Sequence, residues 1–318
     1  MKVIRNRPGE LSTTGFGRSV VTVGNFDGLH LGHQALLQRC RELANSSDAV
    51  AVVTFEPLPE ALFRPDAAPA RLSTVRQKLS LLEAEQADLV WMMRFDDALS
   101  RMSARDFAHT VIAQGLAARH VVVGEDFHFG HRRTGDVNLL RALGQEFDFA
   151  VDTVAAVFLG DERVSSTAIR RALAAGEFAR GAEMLGRPFR MEGRVVRGRQ
   201  LGRRLGYPTA NLRIRARPCP VQGIFAVFVQ AGRGPTGHGW LPAVSSLGWR
   251  PTVDGEELLL EVHVFDFDGD LYGQRLEVEF VAKLRDESRF ATLEELVAQM
   301  RRDEAEARNI LANIERPA

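Results

Sequence analysis

A change of rhythm midway along the chain constrains the fold more than any other feature. Up to about residue 186, short β-branched runs alternate with helical patterns. The runs are VVTVG at 20–24, AVAVVTF at 49–55, DLVWMMRF at 88–95, HVVVGEDF at 120–127 and FDFAVDTVAAV at 147–157. Helical patterns start near His33 and cover about 73–87, 104–117 and 136–146. Strands apolar on both faces, with helices between them, predict a parallel sheet covered on both sides. From Arg190 the alternation stops. RMEGRVV, IFAVFVQ at 224–230, LPAVSSLG at 241–248, LLLEVHVFDF at 258–267 and QRLEVEFVAKLR at 274–285 read as strands separated by Gly, Pro and Asp turns. That spacing predicts a small antiparallel β-barrel. A long helical pattern at 292–311 closes the chain, with Thr292 as its cap and Glu295 placed for a capping box. The expected architecture is α/β: a doubly wound parallel-sheet domain over residues 1–186, then a β-barrel domain with a C-terminal helix over residues 187–318. The boundary falls at LGRPF (185–189), where Gly186 and Pro188 end the helical pattern.

Composition narrows the functional classes. Among 318 residues, Lys plus Arg number 41 and Asp plus Glu 41, a balance that argues against a nucleic acid as the main partner. No stretch approaches the roughly 18 uninterrupted apolar residues of a membrane span. The opening MKVIRNRPGELSTTG lacks the apolar core of a secretory signal. Cys40 and Cys219 stand far apart with no Cys-x-x-Cys pair, unlike a disulfide scaffold or a cysteine zinc site. A soluble, cytoplasmic, two-domain protein with no membrane and no obligatory protein partner is expected.

In a doubly wound sheet, ligands bind beyond the carboxyl ends of the strands, where strand order reverses. The residues after the apolar runs are therefore the candidates. VGNFDGLHLGHQALL (23–37) runs from a strand through a Gly-rich turn to His30 and His33 at the mouth of a helix. A helix N-terminus offers unpaired N–H groups and partial positive charge, which suit a phosphate. Gly32 permits close backbone approach, and two imidazoles can donate to a nucleotide α-phosphate as charge builds there. Two other readings stay open: a capped surface turn, or a zinc site including Asp27, although the spacing matches no zinc motif. SSTAIRRALAAG (165–176) places hydroxyls and Arg170 at a helix start, with Ser166 or Thr167 as cap. It could hold a diphosphate, or be an ordinary capped helix. VVVGEDFHFGHRRTGD (121–136) makes a loop that His128, His131, Arg132 and Arg133 render basic, for a ligand or simply for solvent. TFEPLPEALF (54–63) follows a strand with two prolines and could wall a pocket.

The second half has its own constellation. In GRVVRGRQLGRRLGYPTANL (193–212), Gly198, Gly202 and Gly206 recur among Arg194, Arg197, Arg199, Arg203 and Arg204. No GK[ST] ends it, so it is not a P-loop. A Gly-rich arch still lets backbone N–H groups reach phosphates, and arginines favour anions. The rival, a nucleic-acid loop, sits poorly with neutral charge and few aromatics. Thr209 and Asn211, in an extended segment fixed by Pro208, point to one side and offer hard oxygens that suit Mg²⁺ bound to ATP. In LLLEVHVFDF, Leu260, Val262 and Val264 face the core while Glu261, His263 and Phe265 share the other face. That face is either an ordinary polar surface or a general base under a flat, apolar substrate.

These segments, in this order, resemble the bifunctional bacterial riboflavin kinase/FAD synthetase family, whose first domain is an HxGH nucleotidyltransferase. The resemblance runs from about Gly24 to the last helix. It implies that the barrel phosphorylates riboflavin to FMN with ATP and Mg²⁺, and that the first domain transfers AMP from ATP to FMN, giving FAD and pyrophosphate. By this resemblance Gly24, Phe26, Asp27, His30, Gly32 and His33 line the ATP site of the transferase, with His30 and His33 catalytic. Ser165, Ser166, Thr167 and Arg170 close over the phosphates, and Gly124, Asp126 and Phe127 face FMN or adenine. In the barrel, Gly193, Gly198, Gly202, Gly206, Pro208, Thr209 and Asn211 bind ATP, with Thr209 and Asn211 on the metal. Glu261 accepts the proton of the riboflavin 5′-hydroxyl, and Arg285 and Glu287 stand on the flavin side. KLRDESRF (283–290) and the final helix also resemble the family, as flavin-side wall and scaffold. Two positions depart from it: many relatives have His where Leu58 stands and Asn where Ser246 stands. The alternatives are a riboflavin kinase with a degenerate transferase domain, and a non-catalytic flavin- or nucleotide-binding regulator. Intact His30, His33, Thr209, Asn211 and Glu261 speak against both.

Overall fold

The computed structural model describes residues 1–5, 7–8, 17–198, 202, 206–214, 218–231, 239–252 and 255–314; Arg199, Arg203 and Arg204 lie outside them. The five apolar runs of the first half form strands β2 (Ser19–Val23), β3 (Ala49–Glu56), β4 (Leu89–Arg94), β5 (Ala118–Gly124) and β6 (Ala150–Val154). A further edge strand, β1 (Lys2–Ile4), is too short to show a period in the sequence. All pairings are parallel, in the order β1-β4-β3-β2-β5-β6. Both faces are covered, as the two-sided apolar runs require. Helices α1 (Leu31–Leu43) and α3 (Val75–Ala84) lay Leu37, Cys40 and Leu82 on Val20, Val52 and Val90. On the opposite face, Val111 and Leu140 pack with Val21, Val53 and Trp91. Leu140 belongs to α6 (Val137–Phe147), which Asp136 caps through Leu139 N–H at 2.8 Å. Short helices α2 (Pro59–Phe63) and α4 (Asp97–Ser100) occupy loops.

The pattern at 104–117 winds differently from the α-helix it predicts. One α-turn, α5 (Ala104–Asp106), opens into a π-helix over Phe107–Gly115. Gly115 ends it flat against Trp91, whose ring stands 2.6 Å from where a Cβ would sit. Any larger residue would collide with a fully buried indole.

After β6 in the chain, a two-stranded ribbon β7 (Phe158–Leu159) and β8 (Glu162–Arg163) precedes helices α7 (Ser166–Ala174) and α8 (Phe178–Leu185). Strands β9 (Arg190–Val196), β10 (Ala210–Arg213), β11 (Gly223–Ala231), β12 (Leu241–Thr252), β13 (Gly255–Val264) and β14 (Arg275–Arg285) follow. They close into an antiparallel barrel ordered β10-β13-β12-β11-β14-β9. Phe225, Leu247, Leu260, Val262 and Val278 are buried on the inward side. Helix α9 (Leu293–Ala312) lies outside the barrel and buries Ala307 and Leu311 on Ala226, Phe228 and Phe265. Phe265 thus keeps the face predicted for it but is covered by α9. Thr292 caps α9 by accepting from Glu295 N–H at 3.2 Å, while the Glu295 carboxylate reaches back to Ala291 N–H at 3.0 Å.

Packing divides the chain into two compact units, residues 1–69 with 73–166, and residues 70–72 with 167–318. The helical pattern ends at Gly186, in left-handed backbone at φ 69°. Most of α7 and all of α8 nevertheless pack in the barrel's unit. Phe178 of α8 meets Phe225 and Phe280 with ring centroids 5.7 Å apart in each case.

Candidate active sites

In the first unit, strand order reverses between β2 and β5, so a crevice opens beyond their carboxyl ends. A cleft of about 300 Å³ lies there, lined by Gly24, His30, Gly32, His33, Gly124, Asp126, Phe127, Arg163 and Ser165. The structure brings these residues together from three segments of sequence. His30 is the N-cap of α1, and its ring stacks on His33 with centroids 3.7 Å apart. Phe26 is fully buried beneath the pair, 4.9 Å from the His33 ring, and supports it.

The turn that presents the histidines is sharply wound. Phe26, Gly28 and Leu29 all have positive φ, at 47°, 80° and 44°. Such backbone persists only when its surroundings hold it. Asp27 supplies much of that hold. Its carboxylate accepts from the Ser73 N–H and O–H, both at 3.1 Å, while Ser73 Oγ accepts from Gly28 N–H at 3.1 Å. The Asp27 carbonyl accepts from Ser166 Oγ at 3.1 Å. Asp27 is therefore a staple of this turn. Ser166 and Thr167 lie inside the first turn of α7, so neither is its cap as the sequence suggested; the Ser166 hydroxyl is committed to Asp27. Thr167 and Arg170 belong by packing to the second unit, where Arg170 Nε donates to the Ala70 carbonyl at 2.5 Å.

Two functional candidates escaped sequence reasoning. Lys78 is fully buried, and its ammonium donates to the Asn25 carbonyl at 2.8 Å and to Thr54 Oγ1 at 3.3 Å. Lys78 thus braces the turn that carries the histidines, yet in sequence it looks like any helix-face lysine. Arg163 pairs with Asp126 at 2.7 Å on the cleft rim. The hydrogen bond from Arg163 holds the Asp126 carboxyl below the usual carboxylate range, against the opposing effect of burial. In the basic loop, His131 Nδ1 bonds to the Ser100 carbonyl at 3.0 Å, leaving Arg132 and Arg133 in left-handed backbone. Leu58, after the first proline of the 54–63 segment, is a core residue at 2% exposure. Nearby Phe63, 64% exposed, meets Phe95 edge-on at 5.8 Å.

The barrel unit holds two clefts that share Thr209. The first, about 290 Å³, is walled by Ile224, Val244, Phe290 and Met300 and carries Tyr207, Ser246, Glu261, His263, Arg285 and Glu287. The second, about 580 Å³, has Arg197, Pro208, Asn211 and the Phe267–Tyr272 loop. Register explains the arrangement. Ser246 of β12 pairs with Glu261 of β13, which pairs in turn with Asn211 of β10. Directly opposed residues share a face, so the three form one outward row. Ser246 Oγ donates to Glu287 Oε1 at 3.3 Å, and the Glu287 carboxylate lies tight against Gly248. Arg285 is tied to Asp303 of α9 by a 2.6 Å ion pair.

The glycines divide by role. A Cβ on Gly198 would fall 2.7 Å from the Asn211 amide, and one on Gly202 would press on the Tyr207 carbonyl, so at both positions the backbone comes close to the Tyr207–Asn211 stretch. Gly206 takes left-handed backbone at φ 84°. Gly193 sits within β9, where a Cβ would lie 3.0 Å from the Leu212 side chain; it lines neither cleft.

Residues 14–168 match the FAD synthetase family and residues 185–311 the riboflavin kinase family, which places the chain among two-headed flavin nucleotide transferases. It is 45% identical to a bifunctional riboflavin kinase/FMN adenylyltransferase of Pseudomonas fluorescens, over 92% of this chain and 93% of that one. The protein of that description from Escherichia coli K12 is 44% identical over 91% of each chain. A crystal structure described as a macrolide-efflux protein from Streptococcus pneumoniae is similar with a TM-score of 0.81 and 30% identity, covering 97% of this chain and 99% of that one. Among the described residues, no helix is long and apolar enough to cross a membrane. The chain belongs to the bifunctional riboflavin kinase/FMN adenylyltransferase family.

Proposed function

We propose that the chain converts riboflavin to FAD in two ATP-dependent steps, the kinase step in residues 187–318 and adenylyl transfer in residues 1–186. The observation that carries this reading is the pair of family matches, each over a unit with clefts of its own. In the kinase step the 5′-oxygen of riboflavin bonds to the γ-phosphorus of ATP, and ADP leaves. Glu261 takes the hydroxyl proton, from an apolar cleft that suits a flavin ring, with Arg285 and Glu287 beside it. The second cleft, with Pro208, Thr209 and Asn211, takes ATP.

A Mg²⁺ site fits this second cleft. A threonine hydroxyl and an asparagine amide oxygen are hard donors, and the Gly198 approach keeps the space beside Asn211 clear of side chain. Thr209 and Asn211 would hold the ion, which neutralises phosphate charge when bound.

In the transferase step a phosphate oxygen of FMN bonds to the α-phosphorus of ATP, and pyrophosphate leaves. His30, His33 and the N–H groups at the start of α1 donate to the α-phosphate oxygens as negative charge builds. Ser165, on the wall of this cleft, takes the departing phosphates. Gly124, Asp126 and Phe127 receive the second substrate, with the Phe127 ring, backed by the buried Phe129 ring at 5.4 Å, as the apolar contact. Arg163 offsets the Asp126 charge where the anionic FMN approaches. Action in the cytoplasm, where ATP is made and thiols stay reduced, fits two cysteines that are both free. Incubating the purified chain with riboflavin, ATP and Mg²⁺ and separating the flavins tests the proposal: FMN and FAD should both form. FMN alone would remove the transferase assignment, and unchanged riboflavin would remove both.

A further inference from the structure

The geometry points to His263 as a positioning residue for the kinase step, its Nδ1–H holding the Tyr207–Thr209 segment in place between the two clefts. The β10–β13 ladder explains why such a hold is needed. Its register runs from Arg213↔Leu259 to Ala210↔Val262 and ends there. The next residues toward the N-terminus are Thr209 and Pro208, and Pro208 has no N–H to extend a ladder. His263, one residue beyond Val262, takes over with its side chain. Its Nδ1 lies 2.8 Å from the Pro208 carbonyl. A carbonyl can only accept, so this bond puts the imidazole proton on Nδ1.

The ring is itself held. Tyr207 stands against it edge-on at 5.1 Å and Phe265 at 6.0 Å, and Phe265 is buried under α9. His263 therefore transmits the rigidity of the barrel wall to a segment that has left the sheet. That segment includes Thr209, which both clefts share, and His263 shares its strand face with Glu261. A shift of Thr209 would change the separation of the two substrates, and a misplacement of about 1 Å can cost about 10²-fold in rate. This inference rests on the proposed roles of Thr209 and Glu261.

The test compares His263→Ala, His263→Asn and Thr209→Ala in the full chain. Asparagine places its amide N–H where Nδ1–H was, so it preserves the bond to Pro208 without an imidazole. Riboflavin binding, followed by quenching of flavin fluorescence, reports an intact barrel, and FAD formation from supplied FMN reports the other unit. His263→Ala is expected to raise the KM for ATP and lower kcat together, by about 10²-fold in kcat/KM. His263→Asn should recover most of that loss, with FAD formation from supplied FMN unchanged in both. Parent-like kinase activity in His263→Ala overturns the inference. So does equal damage from Ala and Asn, since the imidazole would then be needed for something other than its Nδ1–H. Parent-like activity in Thr209→Ala overturns the underlying assignment of Thr209, and the inference with it; an impaired Thr209→Ala beside an unimpaired His263→Ala overturns the inference alone.

Discussion

His30 stands at the N-cap position of its helix and stacks on His33, so its ring is held in a fixed direction. His30→Ala should lower FAD formation from FMN by about 10²–10³-fold, the usual cost of losing one donor aimed at developing charge. FMN formation from riboflavin should stay at the parent rate, and both are measured in one assay by separating the flavins. Glu261→Gln should do the reverse: riboflavin phosphorylation falls by about 10²–10⁴-fold with the general base removed, while FAD formation from FMN is untouched. A kinase rate near the parent's would leave Glu261 as surface. The cysteines give a pH-dependent prediction. Burial pushes the Cys40 thiol up to about 12 and the Cys219 thiol up to about 11. At pH 8 the thiolate fractions are then about 10⁻⁴ and about 10⁻³, against roughly a quarter for an ordinary thiol. Native protein should react slowly with a disulfide reagent, gaining about tenfold in rate per pH unit, and unfolding should release rapid reaction of both. Fast labelling of Cys40 in the native state would contradict its buried, inert setting.

Among the elements, those with a strong period were legible, and those that depend on a partner were not. The runs at 20–24 and 49–55 became β2 and β3 because their two-sided β-branched character suits only a covered strand. The segment at 104–117 shows a helical period but not its π winding, which accompanies close packing on Trp91, distant in sequence. Helix α9 was legible down to its cap, since Thr292 acts on its own neighbours. Thr292→Ala should cost about 1 kcal/mol. Because α9 carries Asp303 and Met300 to the cleft that holds Glu261, the loss should appear as a lower urea midpoint for kinase activity, with the midpoint for FAD formation unmoved.

For the whole molecule, the question is where one unit can be cut from the other. A fragment of residues 187–318 matches the end of the helical pattern but lacks Phe178, which packs on Phe225 and Phe280. Truncating a buried Phe typically costs about 3–5 kcal/mol, a large share of a small domain's stability. A fragment of residues 167–318 should therefore keep riboflavin kinase activity to higher temperature than one of residues 187–318. Equal thermal inactivation of the two fragments would show that α8 gives the barrel no support.

The sequence by itself determined the parallel sheet, the barrel, the last helix and the motifs at strand ends, because period, turn chemistry and glycine placement act over a few neighbouring residues. It also brought His30 and His33 to one helix mouth and Glu261 to a face opposite Leu260 and Val262. Tertiary structure decided which distant groups complete these sites. The Asp27–Ser73 staple spans 46 residues, Arg163 reaches Asp126 across 37, and Lys78 donates to Asn25 across 53. Each of these bonds requires the chain to fold before the partners meet, so no local pattern marks them. The same holds for His263, which reads in sequence as an outward strand residue and acquires its partner, the Pro208 carbonyl 55 residues away, only when the barrel closes.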